Sequence, residues 1–309
     1  MVKIGLIGFD KVSESHVKAI LSLPGYSLTG IFDPYTKQAQ ENCEKLGIPF
    51  FEDFGKLLQN TDAIDIASPY LDYYPLAVEA IKKSKHLFLD NPVISSPREA
   101  LNLINLSNEA DVKVQVNYPD RYNPAYTATI PYLTRPLYIE AQHHIAFKGR
   151  QQDIPVVMDL MMHDIDIVLS IVKANINTVH ATGVRVFNGS PDIVNANLEF
   201  DNGIVANLTA NRIAAKNIRR IKFYQPQTRL QANFLKNRIK ILRQQHENTG
   251  HDFLIKNLHA PKKDKLLMSL HDFLLVLTKN KKPLVSLDQA YQNLKAAFLI
   301  NEKVQMLTP

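Results

Sequence analysis

The chain has one cysteine, Cys43, among 309 residues. No internal disulfide can form, and a reducing, cytoplasmic setting is the default expectation. No run approaches the roughly 20 uncharged apolar residues that span a bilayer, so no membrane association is expected. The apolar N-terminus is short and meets Asp10 and Lys11 before any small-residue cleavage site, so no signal peptide is expected either. Acidic residues are missing altogether between Gly203 and His246. That stretch instead carries Arg212, Lys216, Arg219, Arg220, Lys222, Arg229, Lys236, Arg238, Lys240 and Arg243. It reads either as a solvated basic face or as a surface that attracts phosphates. Nucleic acid is not expected: there is no zinc-finger spacing, and Phe223, Tyr224 and Phe234 form no RNA-stacking signature.

The length fits two domains, with boundaries at 1–118 and 119–309. In the first, short apolar runs at Val2–Ile7, Ser27–Phe32, Ala63–Ala67, His86–Leu89 and Val112–Val116 alternate with helical patterns. The helices are expected near Ser13–Leu23, with Ser13 as cap, then Tyr35–Leu46, Tyr73–Lys83 and Pro97–Glu109. Gly47 stands where a helix C-terminus favours a left-handed residue. Fully apolar strands separated by helices predict an α/β fold with a doubly wound parallel sheet of the Rossmann type. Beyond Tyr118 the pattern changes. A strand at Leu137–Ala146 and a long helix at Val156–Val172 precede strand-like runs at Thr178–Val186, Ile193–Phe200, Ile204–Ala210 and Ile218–Tyr224. Asp201-Asn202-Gly203 marks a hairpin. These features predict an α+β domain with an open, largely antiparallel sheet. The tail reads as helices at Lys265–Thr278 and Leu287–Leu307. The last has an apolar face, Ala297, Ile300, Val304 and Leu307, that must pack, and the first domain is one place for it.

The first strand runs into Gly8-Phe9-Asp10-Lys11-Val12-Ser13. In a dinucleotide fingerprint three glycines would stand at positions 8, 10 and 13, for the tight turn, close pyrophosphate approach and helix–strand packing. Only Gly8 is kept. Ser13 is small, whereas Asp10 places a carboxylate beside the expected pyrophosphate. Asp33 ends the second strand where an acidic residue takes the adenosine ribose hydroxyls. It favours NAD over NADP, whose 2′-phosphate it repels. Asp33-Pro34 as a plain turn is the alternative.

On an α-helix Asp159, His163 and Asp166 fall at i, i+4 and i+7, on one face. A carboxylate one turn from an imidazole holds its tautomer and raises its basicity, which suits a general base acting on a hydroxyl. Metal ligation and a satisfied structural helix face are the alternatives. No second Cys, His or Glu cluster accompanies the pair, so no metal centre is predicted.

Together these segments resemble the Gfo/Idh/MocA family of NAD(P)-dependent oxidoreductases. The resemblance is most specific from Asp153 to Val172. It extends to Val114-Gln-Val-Asn-Tyr-Pro-Asp-Arg-Tyr-Asn-Pro-Ala125, Asp192-Ile-Val-Asn-Ala-Asn-Leu-Glu-Phe-Asp-Asn-Gly203 and Val205-Ala-Asn-Leu-Thr-Ala-Asn-Arg212. The strings look most like the branch that oxidises the 3-hydroxyl of UDP-N-acetylglucosamine and related nucleotide sugars. The resemblance implies NAD along Gly8, Phe9, Asp10, Ser13, Asp33, Pro69 and Asp90. It implies a sugar or nucleotide-sugar ligand near Arg121, Asn123, Lys148 and Arg212, with His163 as base and Asp159 orienting its ring. It also implies a homo-oligomer that pairs through the C-terminal sheet. The family's Glu-Lys-Pro motif, whose lysine reaches the reacting hydroxyl, here reads Asp90-Asn91-Pro92, and Tyr73 stands where a histidine is common. Asn91 can donate a hydrogen bond but carries no charge. An oxidoreductase and a catalytically silent ligand-binding or scaffolding relative both remain open at this point.

Overall fold

The computed structural model describes residues 1–307 except 11, 35, 68–72, 91–95, 148–153, 188 and 245–252. The chain divides into two compact units, Met1–Pro119 with Asp264–Tyr291, and Asp120–Lys263 with Gln292–Pro309. In chain order the first unit contains β1 (Val2–Ile7), α1 (Ser13–Leu21), β2 (Tyr26–Phe32), α2 (Thr36–Leu46), β3 (Phe50–Phe51) and α3 (Phe54–Gln59). It continues with β4 (Ala63–Ile66), α4 (Tyr73–Lys82), β5 (His86–Asp90), α5 (Pro97–Glu109) and β6 (Val114–Asn117). The six strands are parallel, in the order β3-β2-β1-β4-β5-β6. This is the doubly wound order, whose reversal at β1 and β4 opens the crevice used for dinucleotides.

The second unit holds α6 (Pro124–Thr129), β7 (Tyr138–Ala146), a π-helical turn at Val157–Met161 and α7 (Met162–Val172). Then come β8 (Ile176–Val184), β9 (Ile193–Phe200), β10 (Val205–Ala214), β11 (Ile218–Gln225), β12 (Thr228–Asn233), β13 (Arg238–Gln244) and β14 (Phe253–His259). The chain ends in α8 (Lys265–Lys279), α9 (Leu287–Lys303) and β15 (Val304–Met306). The nine-stranded sheet runs β14-β13-β12-β11-β7-β10-β9-β8-β15, antiparallel except at β7–β10 and β8–β15. Gly203, at φ +81°, closes the β9–β10 hairpin that Asp201-Asn202-Gly203 predicts.

In the first unit, α8 covers the sheet. Leu270, Phe273 and Val276 pack with Ile4, Ala19, Ile20, Tyr26 and Phe88. Burying Phe273 contributes about 1.5–3 kcal/mol. The Tyr26 hydroxyl donates to the Leu270 carbonyl at 2.8 Å, so its polar end is satisfied inside this core. Cys43 is fully buried beside Leu6, Val17 and Ile31, packing along its helix.

In the second unit, alternate residues of β7 and β9–β13 are buried, which leaves a polar face on the other side. One buried face pins a cation inside. Arg219 on β11 donates from Nε to Asp120 at 2.9 Å and from Nη1 to Asp164 on α7, with its guanidinium 4.8 Å from the centre of the Phe234 ring. Burial works against that charge, but the two carboxylates outweigh it and hold Arg219 above its ordinary range. Burial also pushes the Asp164 carboxyl up to about 6, against the pull of Arg219.

Three expectations change. Ser13 lies inside α1 instead of capping it. The long helix at 156–172 opens with a π-turn. The last helix stops at Lys303 and continues as an edge strand. Arg219→Met leaves Asp120 and Asp164 buried without their counterion. It is expected to destabilise the protein by about 3–5 kcal/mol in urea unfolding of the full chain. An unchanged midpoint would show that the ion pairs contribute nothing net.

Candidate active site

The nucleotide end is built on the turn after β1. Gly8 adopts φ +90°, a left-handed conformation that side chains disfavour, and its N–H donates to Phe32 at the end of β2. The next N–H, that of Phe9, donates to Asp33 Oδ2 at 2.8 Å. Asp33 therefore fixes the turn with one carboxylate oxygen, where the sequence places a ribose-binding acid. Asp10 then folds back on α1. Its Oδ1 accepts from the Val12 and Ser13 N–H groups at 2.7 and 3.0 Å, while its own N–H donates to Ser13 Oγ at 2.6 Å. A helix start offers such N–H groups to anions. Here an internal carboxylate already takes two of them. The tight glycine turn and the acid at the end of β2 fit a dinucleotide; the Asp10 carboxylate competes with its pyrophosphate for those donors.

Beneath this turn lies His16, fully enclosed in α1. Its Nδ1 is 2.8 Å from Asp65 on β4 and its Nε2 is 3.9 Å from Asp90 at the end of β5. Burial lowers its pKa, but Asp65, the hydrogen bond to it, Asp90 and Asp10 together raise it above the ordinary value. Asp90 also accepts from Asn117 Nδ2 at 2.7 Å. Tyr73 is buried, and burial together with Asp90, Asp10 and Asp65 raises its hydroxyl pKa. Pro69, Asn91 and Lys148 lie outside the described residues.

In the second unit, Met158, Asp159 and His163 are the positions of 156–168 that keep partial exposure. The π-turn sets this pattern, because its i→i+5 bonding adds a residue to the turn and shifts the helical phase before α7 begins. Asp166 departs from the expected shared face. It is buried and accepts from Arg121 Nε at 2.5 Å and Asn293 Nδ2 at 2.9 Å, so it belongs to the frame. Asp159 is pushed up by burial and pulled back by Arg212. The His163 ring lies 6.1 Å from the ring of His143 on β7.

His143 has no place in the sequence reading. Its only signal is strand alternation, which puts it on the same face of β7 as Ile139 and Ala141. Its Nδ1 is 3.0 Å from the Leu160 carbonyl. A carbonyl only accepts, so that nitrogen carries the proton and Nε2 is left as the acceptor. Burial, Arg219 and His163 push its pKa down to about 3.

The expected substrate contacts have internal duties. Arg121 holds Asp166. Asn123 caps α6 through Ala125 N–H and donates to the Phe234 carbonyl. Arg212 is buried and donates to the Ile154 carbonyl at 2.7 Å, Ser190 Oγ at 2.7 Å and the Pro191 carbonyl at 2.8 Å, with Asp192 3.3 Å away.

A neutral His143 has a consequence for stability. An unfolded chain protonates this imidazole near its ordinary 6.5, whereas the folded chain does so only near 3. The folded state therefore loses stability as pH falls through that window. His143→Gln is expected to flatten part of this acid slope in urea unfolding. Nitrogen-15 NMR is expected to show His143 neutral and protonated at Nδ1 from about pH 5 to 8; an imidazolium signal there would contradict the geometry.

Residues 2–118 match the oxidoreductase family with an NAD-binding Rossmann fold, and residues 135–230 match the GFO/IDH/MocA C-terminal domain. The chain is 28% identical to UDP-N-acetylglucosamine 3-dehydrogenase of Acidithiobacillus ferrooxidans, over 91% of this chain and 90% of that protein. It is 26% identical to the NAD(+)-dependent scyllo-inositol 2-dehydrogenase of Bacillus subtilis, over 68% and 67% of the two chains. The solved structure of the Acidithiobacillus enzyme superimposes with a TM-score of 0.91 at 26% identity, covering 98% of this chain and 97% of that one. With both domain families matched in order along one chain, this protein belongs to the Gfo/Idh/MocA oxidoreductases.

Proposed function

We propose that the protein oxidises a hydroxyl of a sugar or nucleotide sugar, with NAD as its coenzyme. The reading is supported by the dehydrogenases it is similar to, which act on UDP-N-acetylglucosamine and on scyllo-inositol. The observation that carries it is the partly exposed His163, set by a π-turn beside a second imidazole whose tautomer Leu160 fixes. Bound nicotinamide supplies the hydride acceptor. His163 accepts the hydroxyl proton, and Asp159 acts as a positioning residue. His143 stays neutral and adds no competing charge beside the base. Arg121, Asn123 and Arg212 hold the frame around it through their internal bonds.

NAD is preferred over NADP because Asp33 puts a carboxylate at the end of β2, where it would repel a 2′-phosphate. Self-association, as in the family, is assigned to the uncovered face of the nine-stranded sheet. One observation favours the second reading, a relative that binds ligand without turnover: Asp10 already engages the donors a pyrophosphate would use.

Calorimetric titration with NAD and NADP separates the two. Saturation by NAD, with weaker or no binding of NADP, is expected; saturation by neither coenzyme overturns the oxidoreductase reading. Asp10→Gly is expected to strengthen NAD binding by about tenfold, since two charge-competent N–H donors are released and a repulsion is removed. His163→Asn is expected to lower kcat by about 10²–10⁴-fold with little change in coenzyme affinity. Equal kcat in this variant would remove His163 from the chemistry.

A further inference from the structure

Phe147 and Phe187 take no part in the proposed chemistry, yet the fold fixes both with care. Their rings are stacked, with 4.8 Å between centroids and 16° between planes. Even so, Phe147 is 43% exposed and Phe187 57%. Apolar rings left in water forgo the gain of burial, and an aromatic pair held in one geometry at the surface is suited to receive a flat ligand.

A buried ion pair carries this platform. Asp192 Oδ2 accepts from the Val186 and Phe187 N–H groups at 2.8 Å each, and Asp192 Oδ1 lies 3.3 Å from Arg212 Nε. Arg212 also donates to the Ile154 and Pro191 carbonyls and to Ser190 Oγ. Both charged side chains are buried. On the other side, the Phe147 N–H donates to the Ala214 carbonyl at 3.1 Å, which extends the β7–β10 pairing by one residue. The backbone behind each ring is thus set without a ligand, and less ordering remains to oppose binding.

The platform lies on the same side of the sheet as the candidate base. Phe147 follows His143 by four residues along β7, and side chains an even number apart leave a strand on one face. His143 meets the Leu160 carbonyl of the π-turn that leads into α7. Phe147 therefore belongs to the face that α7 covers, not to the face assigned to self-association. Four strand residues span roughly 13 Å, a distance that a ribose and a diphosphate bridge between a nucleobase and its sugar. Arg212 joins the two ends: Asp159, pushed up by burial, is pulled back by that same guanidinium.

We infer that Phe147 and Phe187 form a stacking platform for the nucleobase of a nucleotide-sugar substrate, carried on the Asp192–Arg212 ion pair. The inference rests on the reading of the protein as a nucleotide-sugar oxidoreductase and specifies how the nucleotide half is held. Stacking accepts any base, since each has a π-face, so the platform fixes where the base sits and not which base it is.

The test is calorimetric titration of the full chain with UDP-N-acetylglucosamine, uridine diphosphate, guanosine diphosphate and N-acetylglucosamine 1-phosphate, which lacks the nucleoside. Phe147→Ala, Phe187→Ala and the ring-keeping Phe147→Tyr are compared with Leu235→Ala, an exposed control. Each alanine variant is expected to bind the three nucleotides about tenfold more weakly and N-acetylglucosamine 1-phosphate unchanged. The tyrosine variant and the control are expected to match the unaltered chain. A transferred nuclear Overhauser signal between base and phenylalanine ring protons, lost in Phe147→Ala, is expected with them. Both phenylalanines are exposed, so the alanine variants leave the core intact. Nucleotide affinity that survives both alanine variants overturns the platform. Loss of self-association with affinity intact does so too, and marks the pair as a subunit contact. A chain that oxidises a free sugar with NAD but binds no nucleotide overturns the platform while the oxidoreductase reading stands. The expected variant pattern in a chain that binds neither coenzyme does the reverse.

Discussion

Arg219 is enclosed between Asp120 on one side and Asp164 on the other, with the Phe234 ring against its guanidinium. An unpaired charge at that depth would cost several kcal/mol, so the strand, the segment after β6 and the first turn of α7 must meet in one arrangement. Asp164 neighbours His163, and that arrangement therefore also sets where the imidazole emerges. The same guanidinium helps to keep His143 uncharged. A single buried cation thus links the packing of the second unit to the protonation of the group beside the candidate base.

The first unit holds a comparable arrangement around His16. Its imidazole lies between Asp65 and Asp90, which hold its pKa above the ordinary value against burial. Above it, Asp10 and Asp33 tie the turn together from two directions. A glycine at position 10 would leave the helix start open to a phosphate. The carboxylate stabilises the turn on its own and so makes ligand entry a competition. The family membership and this local departure are compatible: the Rossmann fold is kept, while the Asp10 side chain occupies two N–H donors at the start of α1.

Much of the architecture was legible because its strands are simple. The strands of the parallel sheet are short and largely apolar, so Val2–Ile7 and His86–Leu89 announce themselves, whereas the two-residue β3 is too short to show a period. The sequence carries strand character to about Leu242 but delimits no strand beyond Tyr224, because the outward positions of β12 and β13 carry Arg, Lys, Gln and Asn, which mask the buried alternation of Leu230, Ala232, Ile239 and Ile241. At the site, Asp159 and His163 were visible as a pair. The π-turn was not, since composition does not reveal an i→i+5 bond, and neither was the burial of Asp166, whose partners Arg121 and Asn293 are far away in the sequence. The basic stretch was visible as charge, but only strand alternation distinguishes the buried counterions Arg212 and Arg219 from the outward Arg220 and Lys222. His143 gave no local motif, because its meaning depends on a helix that follows it in the chain.

Hydride transfer itself is the most direct test of the central claim. The protein would be incubated with NAD and UDP-N-acetylglucosamine carrying deuterium on the carbon of the 3-hydroxyl, and the recovered coenzyme analysed by mass spectrometry. Deuterium in the reduced nicotinamide is the predicted result. Coenzyme that binds yet returns oxidised and unlabelled, with this and other nucleotide or free sugars, would contradict the account.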